Sequence, residues 1–65
     1  MVVYNLYLVL NDEPIEIYDK NRRMVVYEGS SNDIPEKYMD RLVHSYLTVV
    51  NDKEGRYLRR VIVID

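Results

Sequence analysis

The stretch "IEIYDKNRRMVVYEG" (residues 15–29) decides the predicted fold, because it contains two strand patterns and the turn that joins them. Residues 15–18 alternate between isoleucine and less apolar side chains, which is typical of a half-buried strand. Residues 19–22 are polar and suit a hairpin loop, and residues 24–28 return as a second strand. Gly29 is expected to end this strand, since glycine adopts positive φ without steric cost. The stretch therefore predicts a β-hairpin.

The pattern of a helix start follows the hairpin. Asp33 lies where an N-cap is expected, Glu36 follows at the spacing of a capping box, and Pro35 suits the first helical turn. Apolar residues then recur at helical spacing. We predict a short helix that begins near Ile34 and ends at about Arg41.

The C-terminal third predicts a second pair of strands. The apolar stripe of the preceding helix could extend as far as Tyr46, but residues 43–49 also alternate as a strand, and we favour a strand that ends at Val50. Residues 51–55 have the composition of a turn. Residues 56–64 form the last predicted strand, and "RVIVI" within it is apolar on both faces, which indicates a central or covered position.

The N-terminal segment, residues 2–10, fits two structures. Its residues alternate as a strand, whereas Val2, Leu6, Val9 and Leu10 would form one stripe of a helix. Its valines and tyrosines favour a strand, and Val2 stands where a helix would need a capping side chain. On propensity alone we favour a strand, although the pattern also fits a helix.

The composition indicates one small domain, residues 1–65, that needs additional stabilisation. A chain of this length buries only about 60% of its unfolded surface. There is no cysteine and only one histidine, so disulfides and thiolate metal sites are excluded, and we expect no metal or other cofactor. Self-association is the remaining means of stabilisation, and we expect a homodimer or a higher oligomer.

The charge and hydropathy patterns point to a cytoplasmic protein without a membrane segment. The net charge is −2, with acidic and basic residues interleaved. No apolar run approaches the roughly 18 residues of a membrane-spanning helix. The first residues lack the basic and small-residue signals of a secretory leader.

The aromatic composition is unusual, with seven tyrosines and no phenylalanine or tryptophan. Tyrosine combines a ring that can be buried with a hydroxyl that needs a partner, and it is enriched at contact surfaces. Most of these tyrosines fit half-buried strand positions. Tyr27, Tyr38 and Tyr57 are the candidates for a protein-contact surface.

Two groups of basic residues are candidates for nucleic-acid contact, namely Arg22 with Arg23 and Arg59 with Arg60. If the hairpin loop adjoins the last strand, these arginines would form one patch beside Tyr27 or Tyr57. Arginine and tyrosine on a sheet can bind single-stranded nucleic acid by phosphate pairing and base stacking. The alternative is solvated charge at turns and sheet edges, where it discourages strand pairing.

No pattern of catalytic residues is present, and we predict that the chain is not an enzyme. His44 stands beside Ser45, but neighbouring residues of a strand point to opposite faces, so the pair does not make a triad. The acidic residues Asp12, Glu13, Glu16 and Asp19 could offer oxygen ligands to magnesium. Their positions fit solvated turns and strand ends better, and no acidic residue stands two positions before a lysine. A nuclease that uses the acidic residues and His44 is therefore the least favoured alternative.

The order "LYLVLNDEPIEIYD", "VVYEG", "DIP" and "YMDR" resembles a group of short, mostly uncharacterised proteins of Firmicutes phages and prophages. The resemblance spans about residues 3–43 and rests on structural motifs. It implies a helix over residues 3–10 and the element order α-β-β-α-β-β, which is a small antiparallel sheet with two short helices in the α+β class. This sequence differs from the group at Val2, Tyr4 and Tyr7, where the group has a capping residue and acidic residues.

The resemblance also implies a function for the chain. A short phage-type protein without catalytic residues is expected to act in the host cytoplasm by binding one host or phage protein. Inhibition of a host defence system, such as an anti-CRISPR activity, is one form of this function. The alternative is a small nucleic-acid-binding module that uses the arginines and tyrosines of the sheet.

Overall fold

A computed structural model describes residues 1–50 and 58–65 of the chain, with side chains described for residues 1–49 and 59–65. The predicted turn at residues 51–55, the start of the last strand at Arg56, and Tyr57 lie outside the described residues. The helix and strands are α1 (Val3–Val9), β1 (Pro14–Asp19), β2 (Met24–Ser30), β3 (Val43–Val50) and β4 (Leu58–Ile64). Two short 3₁₀ turns, Ser31–Asp33 and Glu36–Tyr38, connect β2 to β3. The structure confirms a small α+β fold.

The four strands form one mixed sheet in the order β2-β1-β4-β3. The β1–β2 and β3–β4 pairs are antiparallel, whereas β1 and β4 are parallel. The prediction of an antiparallel sheet is therefore wrong at the centre. The reason is the connection after β2, which returns the chain to the other end of the sheet, so that β3 runs in the direction of β2. The β1–β2 hairpin and the central position of the last strand are confirmed.

The core lies between α1 and one face of the sheet. Pairing register places Ile15 and Ile17 of β1 beside Arg60 and Ile62 of β4 on that face. The isoleucines of the two central strands are almost fully buried. The buried apolar residues are Val3, Leu6, Leu10, Ile15, Ile17, Ile34, Tyr38, Ile62 and Ile64. Because α1 is the only α-helix in the described part of the chain, the opposite face of the sheet is not covered by a helix.

Helix α1 is capped mainly by distant backbone groups, which explains how it forms without a capping side chain at Val2. The N–H groups of Val3 and Tyr4 donate to the carbonyls of Arg41 (3.0 Å) and Met39 (2.9 Å). The side-chain carbonyl of Asn5 accepts a hydrogen bond from the Val2 N–H at 2.9 Å. These bonds satisfy donors that a helix N-terminus leaves unpaired. Of the two alternatives for this segment, the structure shows the helix.

The predicted second helix, from Ile34 to Arg41, is wrong, and with it the order α-β-β-α-β-β. Proline disfavours the helical region for the residue before it, and Ile34 accordingly has φ −57° and ψ 125°. Pro35 is also extended, with ψ 139°, so Asp33 and Glu36 do not form a capping box. Ser30 instead caps the first 3₁₀ turn, since its side chain accepts the Asn32 N–H. The carbonyls of residues 39 and 41 are used by α1 rather than by a continuing local helix.

Candidate functional site

The two described candidate tyrosines, Tyr27 and Tyr38, lie close to the core rather than on an open surface. The Tyr38 side chain is almost buried, and its hydroxyl donates to the Val26 carbonyl at 3.3 Å. Tyr27 packs against the core, and its hydroxyl donates to the Ser30 carbonyl at 2.6 Å. Burial raises the pKa of Tyr27, and the charge of Asp33 raises it further. Both rings therefore act in the packing of the fold.

The structure does not bring the four candidate arginines together. Arg22 and Arg23 lie in the β1–β2 turn, which adjoins the C-terminal end of β4, because the Lys20 N–H donates to the Ile64 carbonyl at 2.8 Å. Arg59 and Arg60 lie at the other end of β4, where the register pairs Arg60 with Ile15. The single basic patch that would have formed beside Tyr27 or Tyr57 is therefore absent from the described residues.

The arginines of β4 are engaged in ion pairs on opposite faces of the sheet. Arg59 forms an ion pair and a hydrogen bond with Glu16, whose side chain is only 9% exposed. Arg60 forms an ion pair with Glu13 at 2.6 Å, and its guanidinium donates to the Tyr46 hydroxyl at 2.9 Å. Paired charges on two faces are poorly placed for a continuous phosphate-binding surface.

The carboxylates of Asp12, Glu13, Glu16 and Asp19 each have a separate partner. The Asp19 side chain is buried. Its carboxylate accepts hydrogen bonds from the backbone N–H groups of Asn21 (2.9 Å) and Arg22 (3.1 Å), and it lies 3.5 Å from the guanidinium of Arg41. The Arg22 N–H lowers the pKa of Asp19 most, with the Asn21 N–H and the charges of Arg41 and Arg22 acting in the same direction against desolvation. Asp19 therefore stabilises the conformation of the β1–β2 turn. Within the described residues, no three His, Cys, Asp or Glu side chains are grouped to hold a metal ion.

His44 lies at the start of β3, and its side-chain contacts within the described residues are with Lys20 and Ser45 rather than with an acidic group that could orient it. Its Nε2 is 3.1 Å from Nζ of Lys20, and its Nδ1 is 2.8 Å from Oγ of Ser45. A general base needs an orienting group and an open substrate position. His44 contacts a lysine and a neighbouring hydroxyl on the protein surface. These contacts provide neither an orienting group nor a defined substrate position.

A small pocket lies beside the edge of β1 and β2. Its volume is about 180 Å³, below the roughly 300–1,000 Å³ of typical small-molecule sites. It opens on the side of the sheet opposite α1, beside the Glu16–Arg59 pair. The lining residues are Pro14, Ile15, Glu16, Glu28, Gly29 and Arg59.

An exposed apolar surface on α1 is the feature that sequence analysis missed. Tyr4, Leu8 and Val9, here named the helix patch, are 47%, 59% and 70% exposed. The Tyr4 ring is supported by stacking on Tyr7, with centroids 5.9 Å apart. No residue of α1 is charged. The sequence indicates this surface only through apolar residues on all sides of the helix. That pattern can be recognised only after residues 3–9 are assigned as a helix.

No protein-family model, no curated protein and no solved structure matches this chain. In residues 1–50 and 58–65, no helix is long and apolar enough to cross a membrane.

Proposed function

We propose that this chain is a non-enzymatic protein-binding module whose helix patch docks on an apolar groove of another protein. The observation that carries the proposal is the exposure of Tyr4, Leu8 and Val9 on a helix without charged residues. Exposed apolar surface of this kind is costly in water and is typical of binding surfaces. The fold holds α1 firmly, because Val3 and Leu6 are buried beneath it.

The chemistry of the helix patch indicates the kind of partner. Leu8 lies one helical turn after Tyr4, and such a pair at i and i+4 is the usual anchor of a helix that binds in a groove. Tyrosine adds a large rigid ring with a hydroxyl that can stay in water at the rim. A complementary surface would be an apolar groove with few charges at its centre.

The proposed biological setting follows from the sequence resemblance to short phage and prophage proteins. In that setting, the partner is a host or phage protein, and inhibition of a defence nuclease, as in an anti-CRISPR, is a concrete form of the activity. The sequence resemblance supports this setting, and the exposed helix supports the binding of a partner protein.

The test is capture of a partner from a lysate of a Firmicutes host on the immobilised chain, followed by titration of the purified partner. Tyr4→Ser and Leu8→Ser remove the two anchors, and each is expected to weaken binding at least about tenfold, as hot-spot truncations do. Met24→Ser is the matched control, because Met24 is 52% exposed and lies outside the helix patch. It should bind like the unmodified chain.

Two results would contradict the proposed function. One is the absence of any protein captured at a stoichiometric level. The other is a partner whose affinity is unchanged by both Tyr4→Ser and Leu8→Ser, since binding would then use a different surface.

A further inference from the structure

The face of the sheet opposite α1 carries apolar side chains on all four strands. The pairing register places Val25 beside Tyr18 on that face, and Ser45 and Leu47 of β3 beside Val63 and Val61 of β4. Leu47 is 51% exposed and Val25 is 43% exposed, on the two opposite edge strands. We name this surface the open face. Its apolar residues are Tyr18, Val25, Leu47, Val49, Val61 and Val63.

The charges on the open face are largely neutralised within the protomer. Glu16 and Arg59 lie at its centre and form an ion pair with each other. The remaining carboxylate, Glu28, is exposed and lies on the edge strand β2, opposite Glu16 in the register. The open face therefore has no strong charge at its centre that would select an oppositely charged partner, and it is complementary to a surface of its own composition.

The sheet itself requires cover on both faces. Strands β1 and β4 form a parallel pair at the centre, and parallel strands are usually buried on both sides. Helix α1 covers one side, with Ile62 and Ile64 of β4 beneath it. Val61 and Val63 of the same strand point to the other side, where only part of their surface is protected. A strand that is apolar on both faces needs a layer against each.

We infer that a second copy of this chain supplies that layer, by packing its open face against the open face of the first about a two-fold axis. At ordinary strand spacing and rise, four strands and six residues along each span a projected area of roughly 400 Å² per protomer. Because protruding side chains make the accessible area larger than this projected area, the area that each protomer could bury approaches the roughly 600–800 Å² per partner at the lower end of stable interfaces. Apolar residues would meet apolar residues, and the Glu16–Arg59 pair would need no charge from the partner.

The inferred dimer goes beyond the proposed function and is independent of it. Helix α1 lies on the other side of the sheet, so face-to-face packing would leave both helix patches exposed on opposite outer sides of the dimer. Each dimer would then present two copies of Tyr4 and Leu8. Binding of two partner molecules would follow, but the dimer can be measured without any partner.

The test is light scattering coupled to gel filtration of the full chain, between about 1 and 100 μM, a range in which moderate-affinity dimers dissociate. The expected mass at the upper end is twice the 7.8 kDa of the chain. Leu47→Lys and Val25→Lys would each place an ammonium within the interface, and each should raise the dissociation constant at least about tenfold. Both positions are exposed in the protomer, so the variants should fold, and circular dichroism checks this.

The matched control is Leu8→Lys, which introduces the same charge at an exposed leucine of the helix patch. It should remain dimeric. A monomeric mass for the unmodified chain at all concentrations would overturn the inference. A dimer that resists Val25→Lys would also overturn it, because pairing through the edge of β3 alone would not involve Val25 on β2. A dimer lost only in Leu8→Lys would place the interface on α1 and equally contradict the open face.

Discussion

Gly29 and Tyr27 show how the most patterned part of the sequence is used at the scale of single residues. The Tyr27 ring lies against Gly29, and a Cβ atom at residue 29 would lie 2.9 Å from the Tyr27 hydroxyl oxygen and 3.2 Å from Cζ. Glycine is therefore required for two reasons: the ring approaches the backbone, and residue 29 has φ +156°, which residues with a side chain rarely adopt. The Tyr-Glu-Gly motif is a packing arrangement that allows the Tyr27 hydroxyl to reach the Ser30 carbonyl.

Gly29→Ala is expected to lower the free energy of unfolding by about 1–3 kcal/mol, since overpacking forces the neighbouring ring to move and alanine is strained at the positive φ of residue 29. Urea denaturation measures this. The control is the same substitution in a Tyr27→Ser background, where the ring that causes the clash is missing. The cost of Gly29→Ala should be smaller there, and an equal cost in both backgrounds would show that the contact with Tyr27 is not its cause.

Asp19 makes stability depend on pH with a definite sign. The pKa of this carboxyl is lowered from its ordinary value of 3.8, chiefly by the backbone N–H of Arg22. A carboxyl whose pKa is lower in the folded state stabilises the fold above its unfolded pKa. That contribution is lost as the pH falls through the folded pKa. Asp19→Asn removes the titrating group but keeps one oxygen for the turn.

We expect Asp19→Asn to be less stable than the unmodified chain at neutral pH, and the difference to shrink as the pH is lowered below about 4. Urea denaturation across this range measures both free energies of unfolding. Thr48→Ala, at an exposed residue that does not titrate, is the control, and its difference from the unmodified chain should not shrink in this way as the pH falls. A difference for Asp19→Asn that stays constant would contradict the assignment.

At the scale of elements, the β1–β2 hairpin was predictable because its pattern, its turn and its pairing are all local in sequence. The last strand was placed at the sheet centre for a similar reason, since "RVIVI" is apolar on both faces. The helix over residues 3–10, which the resemblance implied, is not evident from its own residues, and the reason is non-local. The N-terminus of α1 is capped by the backbone carbonyls of residues 39 and 41. No capping side chain close in sequence therefore indicates the start of the helix.

The prediction of a second helix is wrong for a local reason that is present in the sequence. Proline at residue 35 suits the first turn of a helix, but it also disfavours the helical conformation of Ile34, and this second effect prevails. The resulting 3₁₀ turns direct the carbonyls of residues 39 and 41 toward α1. The helix patch was missed as a candidate site because its three side chains share a surface only if residues 3–9 are helical.

The turn between β1 and β2 contains an arginine in an unfavourable conformation. Arg23 has φ 57°, in the left-handed region that residues other than glycine and asparagine rarely adopt. Arg23→Gly should therefore raise the free energy of unfolding by about 0.5–1 kcal/mol. Arg22→Gly is the control and should not stabilise, because Arg22 is not among the residues with positive φ. Thermal denaturation of both variants measures this, and equal effects would contradict it.

At the scale of the whole molecule, the two sides of the sheet differ in what they offer. One side is closed by α1, and its remaining apolar surface lies on the outside of the helix as Tyr4, Leu8 and Val9. The other side is the open face, with a neutral pair at its centre. A chain of 65 residues has a small core, so covering the open face would add a substantial part of the total stability.

If two copies cover each other's open faces, thermal stability must depend on protein concentration, because association stabilises only the folded state. A tenfold rise in concentration should raise Tm by roughly 3 °C or more for a domain of this size. Leu47→Lys should lower Tm and shift the concentration dependence to at least about tenfold higher protein concentration, since it weakens association. Leu8→Lys should retain the dependence, because Leu8 lies on the other side of the sheet. A Tm independent of concentration in the unmodified chain would mean that the open face stays in contact with water and that the protomer alone carries the stability.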